Sequence, residues 1–120
     1  HDKEGTVKHA QFSLDGQKFK VMDSGLSHQF QFNEAVSFLI SCDTQEEIDY
    51  YWNALTRDGG QESQCAWLKD KFGVSWQVVP PVLTKYLSDP NPVKANNVMQ
   101  AMLKMSKIVI ADLEKAYDRE

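Results

Sequence analysis

The sequence predicts an α+β fold, and three observations carry that prediction. Residues 6–23 alternate apolar and polar side chains on both sides of an Asp15-Gly16 pair. Residues 35–79 read as a strand, an amphipathic helix and then two or three antiparallel strands. Residues 80–120 are punctuated by prolines and an asparagine in the manner of short helices.

In the first stretch, TVKHAQFSL, the residues Ala10, Phe12 and Leu14 point one way and His9, Gln11 and Ser13 the other. Asp15-Gly16 suits a type I′ turn, whose two central residues both need positive φ. Residues 17–23, QKFKVMD, alternate again, with Phe19 and Val21 on one face and Lys18, Lys20 and Met22 on the other. Ser24 to Glu34 is predicted as a loop carrying His28, Phe30 and Phe32. A strand follows over residues 35–42, with Val36, Phe38, Ile40 and Cys42 on its apolar face and Ala35, Ser37, Leu39 and Ser41 on the other.

Thr44 and Glu47 have the spacing of a capping box, so a helix is predicted to start at Thr44. Ile48, Tyr51, Trp52 and Leu55 recur at i, i+3, i+4 and i+7 and form one apolar stripe. Asp58-Gly59-Gly60 ends it, because glycine tolerates the left-handed conformation of a helix terminus. After a polar strand or loop near residues 61–66, CAWLKDKFGVSWQVVP reads as a hairpin turning at Asp70-Lys71-Phe72-Gly73. Val74, Trp76 and Val78 share one face of its second strand, and Ser75, Gln77 and Val79 the other. Trp76 is expected to pack against Trp52 or Leu55; the side of Trp67 stays open between the sheet's polar face and a subunit seam. Pro80-Pro81 stops the sheet and residues 82–88 form a short helix. Asn91-Pro92 starts another helix, with Ala95, Val98, Met99, Met102 and Met105 as its stripe. An amphipathic segment over residues 109–118 carries Val109, Leu113, Ala116 and Tyr117.

With 120 residues, one domain spanning 1–120 is expected. A formal net charge of −4 disfavours nucleic acid and anionic membranes as partners. The sequence contains no run of 18 apolar residues that could span a bilayer as a helix, and a cytoplasmic location is expected. Cys42 and Cys65 lie outside any metal-ligand spacing; two reduced thiols are expected, unless the fold brings them together.

The polar faces of these strands collect the candidate ligand-binding residues: His9, Gln11, Lys18, Lys20, Ser37, Leu39, Ser41, Ser75 and Gln77. Such a set suits a small anionic or polar aromatic ligand, but an open solvated sheet face is the reading that an incomplete cup favours. No nucleophile motif surrounds His1, His9 or His28. Asp43, Glu46, Glu47 and Asp49 sit at a helix start, where carboxylates complement the dipole. No glycine-rich strand-to-helix loop is present for a nucleotide or S-adenosylmethionine.

The stretches FNEAVSFLISCDTQEEIDYYWNAL, GGQESQCAWLKDKFGVSWQVVP and LSDPNPVKANNVMQAMLKMSKI closely resemble the PhnB-like branch of the vicinal oxygen chelate superfamily. This branch carries the label 3-demethylubiquinone-9 3-methyltransferase. The resemblance implies βαβββ modules of the glyoxalase/bleomycin resistance/dioxygenase fold, paired into a cup and commonly completed in a dimer. Residues 35–79 correspond to the second module and residues 6–23 to the last hairpin of the first. The first module's opening strand, helix and second strand have no counterpart here, so Phe12, Phe19 and Val21 are expected to lack a helix to pack on.

Metal-dependent members hold a divalent ion between His and Glu side chains. The matching positions here fall near Ala35 and on Gln77 and Lys20, which are unsuited to a cation. The resemblance therefore implies a small-molecule-binding protein with no cofactor and no metal. His9, Gln11, Lys20, Ser37, Leu39 and Gln77 form the candidate cup wall, and the partner is a homodimer mate, with strand exchange as one route. Gln77 either contacts a ligand or satisfies a neighbouring side chain. The rival readings are a lyase, isomerase or transferase acting on a small oxygen-rich substrate, with His9 or Lys20 assisting, and an assembly module whose methionine-rich tail packs on a partner.

Overall fold

The computed structural model describes residues 5–119, so His1 lies outside the described residues. The chain forms two compact units, one ending at Gln31 and the other beginning at Phe32.

The first unit is built on a hairpin of β1 (Ala10–Leu14) and β2 (Gln17–Val21). Asp15 and Gly16 adopt φ of 49° and 82°, the two left-handed positions of the expected I′ turn. That turn fixes the register, so Phe12 faces Phe19 with ring centroids 5.4 Å apart, and Gln11 faces Lys20. The first strand starts at Ala10, later than the alternation predicts. At Val7 the carbonyl accepts the Asp23 amide at 2.8 Å, but the Val7 amide donates to the Asp23 carboxylate at 2.7 Å, so the regular ladder does not extend there. Phe12 and Val21 keep 43% and 46% of their surface exposed, and Phe19 is half-buried.

The second unit contains β3 (Ser37–Ser41), α1 (Gln45–Thr56), β4 (Gln61–Glu62), β5 (Trp67–Lys69) and β6 (Ser75–Val79). The sheet order is β3-β6-β5-β4, with β3 parallel to β6 and the other pairs antiparallel. The first strand is shorter than the expected 35–42: Val36 is exposed, and Cys42 is already buried in the core. Helix α1 covers the face that carries Leu68 and Val78, burying Ile48 and Trp52 against them. Thr44 Oγ1 accepts the Glu47 amide as a capping box requires, but the Glu47 carboxylate accepts the Thr44 hydroxyl instead of a backbone amide. The stripe is narrower than predicted. Tyr51 stays exposed, edge-on to Tyr50, because the sheet beneath α1 reaches only Ile48, Trp52 and Leu55. Trp76 packs on the edge of this core, tilted against Phe38, and its indole N–H donates to Asp70. After α1 the backbone passes so close that a Cβ on Gly60 would sit 2.6 Å from Thr56 Cα.

Between β4 and β5, Cys65 and Ala66 take φ of 57° and 76°, the conformation of a I′ turn, without glycine or asparagine. Their amides donate to the carbonyls of Met105 and Ser106 at 2.8 and 2.9 Å, which offsets the backbone strain. Neither cysteine forms a disulfide.

Helices α2 (Pro81–Leu87), α3 (Pro92–Met102) and α4 (Ile110–Asp118) complete this unit. Helix α2 starts one residue earlier than expected, since Pro81 itself occupies the first turn. Asn91 caps α3 by accepting the amides of Val93 and Lys94. Val98, Ile108 and Leu113 join the core, and Met102 and Met105 pack against it, whereas Met99 remains 38% exposed. The Gln45 amide fastens the tail: it donates to the Ile108 carbonyl at 2.9 Å and accepts the Ile110 amide at 2.8 Å. No helix among the described residues is long and apolar enough to cross a membrane.

Candidate functional site

Strand register determines which side chains leave the sheet opposite α1. Trp67 stands across from Gln77 and Lys69 from Ser75; Gln61 stands across from Lys69. On the parallel side, Ser37 pairs with Ser75 and Leu39 with Gln77. Because directly opposed residues share a face, Gln61, Trp67, Lys69, Ser75, Gln77, Ser37 and Leu39 all project from the side that α1 does not cover.

A cavity of about 430 Å³ lies there, lined by Gln61, Ser63, Trp67, Lys69 and Ser75 together with Glu34, Glu62 and Leu68. Lys69 forms an ion pair with Glu34, and that contact holds the Glu34 carboxyl below its usual range. The Glu62 carboxylate accepts the Trp52 indole N–H. Ser75 is only 1% exposed, and its hydroxyl has no hydrogen-bond partner. Beside it, Gln77 Nε2 donates to Ser37 Oγ at 2.9 Å, so this amide satisfies a neighbouring side chain through one of its ends. Leu39 is 60% exposed and offers apolar surface next to that amide.

Of the residues expected at the cup wall, Ser37, Leu39 and Gln77 thus come together on β3 and β6. His9, Gln11 and Lys20 come together within the first unit, where they line a hollow of about 340 Å³ with Ala10 and Val21. Sequence reasoning missed Glu34, Gln61, Ser63 and Lys69, and left Trp67 open. The alternation of Trp67 and Lys69 around buried Leu68 is the signal that finds two of them; Glu34 is reached only through its ion pair.

The residues around Gln77 do not fit a divalent ion. Its cross-strand neighbours are Leu39 and Trp67. The two carboxylates of the cavity are engaged, one by an ammonium and one by an indole. Among the described residues no three His, Cys, Asp or Glu side chains cluster as a ligand set. The β3–α1 junction, Cys42-Asp43-Thr44, contains no glycine, and the Thr44 hydroxyl is spent on the helix cap, so this turn does not fit a Rossmann-type cofactor loop.

The family model described as 3-demethylubiquinone-9 3-methyltransferase matches residues 1–79, from before the first hairpin to the end of β6. The chain belongs to that family. It is a PhnB-like member: a PhnB protein from Bacillus cereus that carries the same methyltransferase name is 41% identical, with a TM-score of 0.61 over 65% of this chain and 67% of that one. Protein PA1353 from Pseudomonas aeruginosa, 21% identical, shares the fold with a TM-score of 0.52 over 62% of this chain and 63% of its own. A comparison with curated proteins finds no match. The family member described here therefore has the α+β architecture of the glyoxalase/bleomycin resistance fold, with β3-α1-β4-β5-β6 as its βαβββ module.

Proposed function

We propose that this PhnB-like chain binds a small molecule on the uncovered face of its four-stranded sheet, without the help of a divalent ion. One observation carries the reading: alternate residues of adjacent strands, Gln61, Trp67, Lys69 and Ser75, line a single cavity on that face. Trp67 supplies a flat apolar surface on which a ring can lie. Lys69 and the Gln77–Ser37 pair supply charge and hydrogen bonds at either side of it. No bond-making step is assigned to these residues. We further propose that the protein works as a homodimer, since the exposed Phe12 and Val21 leave apolar surface that association would bury.

The test is a fluorescence titration with small aromatic acids, amides and alcohols. Saturable quenching is expected, and it should vanish in Trp67→Phe while Trp52 and Trp76 still report an intact fold. Quenching that survives in Trp67→Phe, or the absence of saturation with every compound, would overturn the reading. A melting temperature raised several degrees by Mg²⁺, Mn²⁺ or Ni²⁺ would overturn its metal-free part.

A further inference from the structure

We infer that the cavity takes an anionic group, and that Glu34 is its competitor from within the same chain. This rests on the reading of the uncovered sheet face as a small-molecule site, and it names the class of ligand.

Three features converge. Ser75 is 1% exposed and is one of the residues lining the cavity, and its hydroxyl has no hydrogen-bond partner. A buried hydroxyl left unpaired is costly, and one facing a cavity can be satisfied by a ligand acceptor. Directly across the strand pair stands Lys69, whose side chain is 37% exposed. An ammonium and a hydroxyl carried by opposed residues of one face are two donors that one ligand group can engage together. The group now facing the ammonium is the Glu34 carboxylate, from the loop just before β3, with its own side chain 59% exposed. Such an exposed pair is weak, so a carboxylate brought in by a ligand can replace it. A carboxylate that reaches Ser75 as well gains a bond that the Glu34–Lys69 pair does not include. The other polar residues of the lining, Gln61 and Ser63, add no charge that would oppose an anion; Glu62 does carry charge, but its carboxylate is directed to Trp52. The acceptor-only partner that this donor pair selects is a carboxylate, and Trp67 in the same wall selects one attached to an aromatic ring.

Benzoate is the probe, and benzamide is its neutral counterpart, both titrated by Trp67 fluorescence and by calorimetry. Benzoate should bind more tightly than benzamide. Glu34→Gln should tighten benzoate about two- to fivefold, the range of an exposed ion pair, and leave benzamide unchanged. Lys69→Met should weaken benzoate by at least about tenfold, as for a charge-assisted hydrogen bond. Ser75→Ala should weaken it about two- to tenfold while leaving the melting temperature of the free protein equal or higher, because it removes an unpaired buried hydroxyl. Benzamide binding as well as benzoate, or Glu34→Gln weakening benzoate, would overturn the anion inference and leave small-molecule binding standing. If neither compound binds, both readings fall. Circular dichroism of each variant confirms that the fold is retained, and for a folded Lys69→Met undiminished benzoate affinity would overturn the inference by itself.

Discussion

The molecule contains two hairpins of similar local design and opposite fate. In β1–β2 and in β5–β6, alternation and a tight turn with a glycine place an aromatic residue on one face and polar groups on the other. The second hairpin has Leu68 and Val78 sealed to 1% and 0% exposure beneath α1. In the first, Phe12 stacks on Phe19 and still keeps 43% of its surface exposed. Pattern and turn chemistry are thus enough to make a strand pair, but only a covering helix turns its apolar face into a core.

The largest effect that tests this contrast is expected at Trp52. It is 2% exposed and fills the interface between α1 and the sheet. Trp52→Ala should cost about 3–5 kcal/mol in chemical denaturation, and a loss below about 1 kcal/mol would mean that α1 is not what seals the second hairpin. Gln45→Ala should follow at about 1–3 kcal/mol, because it leaves the half-buried Ile110 amide and the carbonyl of buried Ile108 without their partner. Gly60→Ala belongs in the same range, about 1–3 kcal/mol, since its Cβ would meet backbone that cannot move aside cheaply.

The counterpart in the first hairpin is Phe12→Ala. Its effect should be local, about 0.5–1.5 kcal/mol in the hydrogen-exchange protection of β1 and β2, with the unfolding of the second unit unchanged. A drop in the global melting temperature as large as that of Trp52→Ala would erase the distinction between the two hairpins.

The smallest effect concerns the tail, through pH. The Tyr117 hydroxyl donates to Asp89 at 2.6 Å, and this bond, then the Asn91 amide, lowers the Asp89 pKa. A lowered carboxyl pKa contributes stability that is present above the unfolded value and lost as pH falls through the folded one. The melting temperature should therefore fall as pH drops below about 4, and Asp89→Asn should remove part of that slope. An identical slope in the variant would show that this contact adds nothing.

Part of the uncovered face was legible because strands obey a period of two, although of the cavity lining this gave Ser75 alone. That rule puts Ser37, Leu39, Ser75 and Gln77 on one face, and it groups His9, Gln11 and Lys20 in the same way. It did not yield Glu34, which lies outside the strands and joins the cavity through Lys69. Nor did it show that Ser75 is buried, because alternation gives the side of a sheet and not what else crowds that side.

The sequence by itself determined the elements whose causes are local. Asp15-Gly16 imposes a turn through φ, Thr44 and Asn91 cap helices through their own side chains, and alternation sorts the faces. Only the tertiary structure decided that Cys65 and Ala66 would form a left-handed turn, that Gln45 would hold a segment more than sixty residues away, and that Lys69 would meet Glu34. Each of those depends on partners distant in the chain, and no periodicity encodes a contact whose free energy appears only once two remote segments are already in place.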